Sequence, residues 1–178
     1  MYVELFWLVL VFGIAVLFTY VHLMDSNSLH SLVKPIPLKI WIPSMALTVA
    51  SFIYMANQWI WHLPADATVL GMYAIFFTGA VLWAPLTADA LHREEKTPFV
   101  GIALWLAAIG SIGLLVLSCG HTEVPWLIVA SAWFMIHHVF VDAIVWFARW
   151  HIHGSTTAMF KMGVETGQEV KYNRLEYI

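Results

Sequence analysis

Five long apolar stretches, at 3–24, 38–61, 68–91, 98–118 and 125–150, are separated by short polar breaks, and every Lys and Arg sits at alternate breaks. Lys34 and Lys39 flank the join between the first and second stretches, and Arg93 and Lys96 lie between the third and fourth. Arg149, Lys161, Lys171 and Arg174 close the series at and beyond the end of the fifth. A helix that crosses the hydrocarbon core needs about 20 mostly apolar residues, and loops on the cytoplasmic side retain Lys and Arg. The pattern therefore predicts an all-α integral membrane protein, a five-transmembrane-helix bundle with its N-terminus outside and its C-terminus inside. Residues 1–150 form the transmembrane domain and 151–178 a polar C-terminal tail on the inner side.

Composition supports a lipid-facing chain. Of 178 residues, 61% are hydrophobic and 11% charged, against roughly a quarter charged in a soluble domain. Most of the charged residues lie in loops and tail, and no basic surface for nucleic acid is present. Cys119 is the only cysteine, which excludes an internal disulfide. Residues 1–24 lack a positive n-region and a small-residue cleavage site, so they read as a retained first helix. The expected location is a bacterial cytoplasmic membrane or an organellar one, with the lipid bilayer as the first partner.

Short breaks at 62–66, 92–98 and 119–124 force sequential helices to run antiparallel. The 25–37 connection is the longest, and a cavity mouth on the inner side is expected beneath it. Ten tryptophans punctuate the chain. Trp7, Trp59, Trp61 and Trp126 map near the outer interface and Trp41 and Trp150 near the inner one, where indole rings anchor at the headgroup level. Trp83, Trp105, Trp133 and Trp146 lie deeper, facing a neighbouring helix or a ligand. Gly101, Ala108, Gly110 and Gly113 suit close helix contact on the fourth helix.

Ionisable side chains at membrane depth each need a partner or a role. On the fifth helix His138 and Asp142 are four apart and share one face, and Ser131 and Arg149 extend the stripe. An Asp beside a His can set its tautomer or neutralise it. The pair serves either as the polar wall of a ligand cavity, a proton relay or an iron ligand, or as an interhelical lock. His137 points about 100° from His138 on an ideal helix, an arrangement in which the two do not readily serve one small site. Pro85 on the third helix removes a backbone donor and predicts a kink, and Asp89 pairs naturally with Arg93 at i+4. His62, Asp66, His121 and Glu123 are metal-capable types in the outer turns, but no spacing ties them together, and no metal site is expected. Haem held by two facing histidines is disfavoured, because no second His lies near the centre of the first four helices.

Lys34-Pro35, Pro37 and Pro43 before and within the second helix, Trp83-Ala84-Pro85 followed by His92-Arg93, and Val141-Asp142-Ala143-Ile144-Val145-Trp146 resemble the translocator protein family, also called tryptophan-rich sensory proteins. The chain departs from that pattern at Ala80 and Asp142, where the family places asparagines, and at Ala143 and Ile144, where it places tyrosines. The resemblance implies a five-helix bundle with a cavity opening toward the 25–37 loop, a flat hydrophobic ligand such as a porphyrin or sterol, and a homodimer.

The leading expectation is a membrane binding protein or transporter for a flat hydrophobic ligand: a tetrapyrrole, sterol or isoprenoid. Trp83, Trp133 and Trp146 would stack on it, and His138 and Asp142 would anchor a polar group. A bound tetrapyrrole or isoprenoid is the corresponding cofactor. The first alternative is a membrane-embedded lipid or isoprenoid isomerase or cyclase, with His138 or Asp142 as the catalytic proton carrier. The second is a pigment-holding or structural subunit of a larger membrane complex.

Overall fold

A computed structural model describes residues 2–25, 38–92 and 97–145. Among them the chain is all-helical, with no strand. Helix α1 runs Val3–Asp25, α2 Leu38–Trp61, α3 Ala67–His92 and α4 Pro98–Ser118. The last helix begins as α5, Pro125–Ile136, and continues without a break as a π-helical segment, His137–Val145. The 25–37 loop beyond Asp25, Arg93, Trp146 and the 151–178 tail lie outside the described residues.

Local chemistry accounts for the starts and stops. Asp66 caps α3, its Oδ1 accepting the backbone N–H groups of Thr68 at 2.9 Å and Val69 at 3.0 Å and so satisfying two of the otherwise unpaired first-turn donors. Thr97 caps α4 by accepting from the Phe99 N–H at 3.3 Å. Pro98 and Pro125 occupy first-turn positions, where a missing N–H costs nothing. The Tyr2 N–H donates to the Ile60 carbonyl at 3.1 Å, which sets the start of α1 level with the end of α2.

Three helices are long and apolar enough to cross a membrane: Ala67–Thr87, Pro98–Ser118 and Pro125–Ile144, with mean hydropathy 1.8, 2.4 and 1.7. The apolar run Val3–Thr19 of α1 is shorter. Helix α2 carries Ser44, Thr48, Ser51, Asn57 and Gln58, and these dilute its hydropathy. Large apolar side chains cover the outside, among them Leu17, Phe18, Phe99, Val116 and Trp126.

Helices α3 and α4 form the spine of the bundle. A Cβ on Gly79 would collide with the backbone of Ala103 and Ala107, and one on Gly110 with the backbone of Phe76. Main chain therefore meets main chain at two levels, with Ala108 fully buried between them. Helices α2 and α5 pack on this spine through an aromatic hub. Phe52 of α2 stacks on Phe134 of α5 with ring centroids 5.7 Å apart, and Phe134 meets Phe76 of α3 at 4.9 Å. Helix α1 joins through Phe12 against Phe77 at 5.8 Å. Between α4 and α5, the Ser118 and Ser131 hydroxyls meet at 2.7 Å; one donates to the other, and the accepting hydroxyl gives its own proton to a carbonyl of its helix, Leu114 for Ser118 or Leu127 for Ser131.

One placement differs from expectation. Trp59 is not an interface anchor: it is buried, with the His121 ring against it edge-on at 5.1 Å, because the α4–α5 turn folds over the end of α2. Trp7, Trp61 and Trp126 are exposed at that same end. Pro85 lies inside a helix that continues to His92.

The spine makes a sharp prediction. Gly110→Leu forces side-chain atoms into the α3 backbone and should cost about 1–3 kcal/mol, seen as a lowered unfolding midpoint in detergent. Gly71, with open space around its Cβ position, should accept Ala with no loss.

Candidate functional site

The change of helical register at His137 builds the site. A π-helix closes its turns between residues five apart, so its turn is wider than that of an α-helix and the positions four and five before Asp142 both fall on its side; His137 thereby joins His138 there. The wider turn therefore brings both imidazoles to one carboxyl group. His137 Nε2 lies 3.7 Å from Asp142 Oδ1, and His138 Nε2 lies 3.9 Å from Asp142 Oδ2. This corrects the ideal-helix expectation that the two histidines diverge. Between 126 and 145 the sequence has no Gly or Pro to announce the change.

Both imidazoles are oriented by their other nitrogen. His138 Nδ1–H donates to the Phe134 carbonyl at 2.8 Å, and that carbonyl also accepts the His137 backbone N–H where the register changes. In the neutral ring, His138 Nε2 must then be the bare nitrogen facing Asp142. His137 Nδ1 is 2.9 Å from the Ser44 hydroxyl on α2. Its Nε2 is buried and forms no hydrogen bond among the described residues. The gaps to Asp142 exceed hydrogen-bond length, so the three polar groups face one another without closing on one another.

His138 and Asp142 of this cluster form one wall of a cavity of about 210 Å³. The remaining walls are apolar and come from all five helices: Gly13 and Val16 on α1, Met45 and Phe52 on α2, Phe76, Phe77 and Trp83 on α3, Leu104 and Ala107 on α4 and Phe134 on α5. Thr48, His138 and Asp142 supply the polar side chains. Thr48 donates to the Ser44 carbonyl at 2.8 Å, which leaves its oxygen free to accept. The rings of Phe76 and Phe134 approach His138 at 4.9 and 4.3 Å and hold the imidazole at the cavity edge. Leu17, Val49 and Ile53 line the cavity and are themselves exposed, so it opens sideways between α1 and α2.

Of the residues singled out from sequence, Trp83, His138 and Asp142 line this cavity together. Trp133 does not; its half-buried ring lies elsewhere on α5, with an Nε1 that has no partner among the described residues. Trp146 lies outside the described residues. Sequence reasoning missed His137, Ser44, Thr48 and the phenylalanine hub. Thr48 sits four after Ser44, a one-face signal on α2, whereas nothing local indicates which Phe residues meet across helices.

The residues of the turns at 62–66 and 119–124 have separate structural uses. Asp66 caps α3, and Glu123 receives His121 Nδ1 at 3.0 Å. No three His, Cys, Asp or Glu among the described residues gather as a metal-holding group. Glu123 is exposed, and its own backbone N–H, followed by the His121 side chain, holds its carboxyl below the usual range. A carboxyl lowered in the folded state contributes above its unfolded pKa and loses that contribution as pH falls. An NMR titration should place the Glu123 midpoint below that of a free glutamate, and His121→Ala should raise it. Comparison of the chain with protein-family models, with curated proteins and with solved structures finds no match.

Proposed function

We propose that all five helices cross the bilayer, with the N-terminus outside and the C-terminus inside, and that the protein binds or carries a hydrophobic molecule drawn from the lipid phase. The ligand enters between α1 and α2, lies against Phe52, Phe76, Phe77 and Trp83, and presents its polar end to Thr48, His138 and Asp142. The observation that carries this reading is the cavity itself. Its apolar walls meet one polar corner, and its exposed rim residues are Leu17, Val49 and Ile53. Ligand pockets combine mostly apolar walls with a few convergent polar groups, and intramembrane ionisable residues mark functional sites. Tetrapyrroles, sterols and isoprenoids are the classes that the sequence points to. The one-sided distribution of Lys and Arg supports the orientation.

A second reading is isomerisation or cyclisation of an apolar alkene, with the His138–Asp142 pair exchanging a proton with the substrate. The bare Nε2 facing a carboxyl group at the cavity edge favours it. Turnover of an isoprenoid or sterol that vanishes in Asp142→Asn would establish that reading over simple binding.

Two measurements test the main proposal. Cys119 is the single cysteine, exposed in the α4–α5 turn, so a membrane-impermeant maleimide should label the intact protein from the outer face alone. Labelling only from the inner face would reverse the topology. His138→Ala should weaken binding of a lipid-soluble fluorescent probe about tenfold or more while shifting the unfolding midpoint little; unchanged affinity would remove His138 from the site.

A further inference from the structure

Resting on the reading of the cavity as a ligand site, we infer that the preferred ligand is a lipophilic cation, an apolar or aryl-substituted ammonium, that exchanges with a proton at Asp142.

Charge balance in a low-dielectric cavity leads to this. Asp142 is 14% exposed and accepts no hydrogen bond among the described residues; its polar neighbours there are the two imidazole nitrogens at 3.7 and 3.9 Å. The elements packed around it contribute the hydroxyls of Ser44 and Thr48 from α2 and apolar or aromatic surfaces from α1, α3 and α4. Among the described side chains, the titratable groups facing Asp142 are His137 and His138. Because His138 Nδ1–H is committed to the Phe134 carbonyl, a single additional proton decides the charge of the His138–Asp142 pair. With that proton the pair is neutral overall, as imidazolium with carboxylate or as imidazole with carboxylic acid. Without it the pair carries one negative charge.

Uncompensated charge is expensive away from water. A univalent organic cation entering the cavity restores neutrality when the pair gives up its proton, so one positive charge leaves as another arrives. The walls suit such a guest. Phe76, Phe134 and Trp83 line the same cavity as Asp142, and a desolvated ammonium is attracted to ring faces. An anionic head group would add to the negative charge, and a neutral one would leave the proton in place. His137 adds a second independent sign of a recognition site, because its Nε2 is buried, directed at Asp142 and without a hydrogen bond among the described residues.

The test uses the full chain in lipid nanodiscs and three probes of one shape: 4-phenylbutyl-trimethylammonium, the neutral analogue with carbon replacing nitrogen, and 5-phenylpentanoate. The quaternary probe has no proton of its own to lose. Isothermal titration in buffers of different ionisation enthalpy should show release of up to one proton per cation bound. Affinity for the cation should rise by up to tenfold per pH unit while the pair holds its proton. The neutral analogue should bind without proton release, independently of pH, and the carboxylate should bind most weakly. Asp142→Asn should lower cation affinity at least tenfold and leave the neutral analogue unchanged; the proton count and pH dependence are read on the unaltered protein, so they stand even if that variant fails to fold. Equal binding of cation and neutral analogue without proton release, or preference for the carboxylate, would overturn the cation assignment and leave the cavity reading intact. Binding of none of the three would overturn both.

Discussion

The architecture depends on the backbone contact between α3 and α4. Gly79 admits the main chain at Ala103 and Ala107, and Gly110 admits that at Phe76. In an apolar surrounding the hydrophobic effect gives little reason for one helix to prefer another over lipid, so close packing and shared polar contacts must supply it. Two glycines and a run of alanines let these helices approach closely enough for dispersion to accumulate along their length. The remaining helices then arrange themselves around a rigid pair. Helices α2 and α5 reach it through large aromatic rings, which hold them further off than glycine does. A cavity lined by all five helices remains among them, with exposed rim residues Leu17 of α1 and Val49 and Ile53 of α2.

The void acquires chemical character from the register change at His137. An α-helix would present His138 and Asp142 together and turn His137 aside. The wider turn of the π segment swings His137 round toward Asp142 and keeps His138 near, so that one carboxyl group is viewed by two imidazoles. Each ring is held by a different element: His138 by the Phe134 carbonyl of its own helix, His137 by Ser44 on α2. The polar corner thus couples the last helix to the second, beside the opening between α1 and α2. Motion of α2 relative to α5 would disturb the Ser44–His137 bond and the cavity rim at once.

Much of this was legible in the sequence, and the reason is physical. Spans of apolar residues with Pro, Asp or Thr at their starts marked the helices to within a residue or so at the described ends, because helix starts are decided by local capping. The Gly and Ala positions of α4 signalled close approach, because only small side chains permit it. His138 and Asp142 stood out because an ionisable group among apolar neighbours is costly wherever it lies. The tryptophans were a poorer guide. Trp83 reaches the cavity and Trp133 does not, although both are deep aromatics with the same sequence appearance; Trp59 turned inward because a loop distant in sequence covered it.

The sequence by itself determined a helical chain whose exterior belongs in an apolar medium, and it marked a polar pair too expensive to be incidental. Periodicity, capping and transfer cost are properties of single segments and can be read without coordinates. The tertiary structure alone decided that His137 joins that pair, that Phe52, Phe76, Phe77 and Phe134 from three helices form one hub, and that the cavity opens sideways between α1 and α2. These features arise from relative helix positions and from a shift in backbone register. Both are set by many side chains packing at once, so no single segment of the sequence carries them.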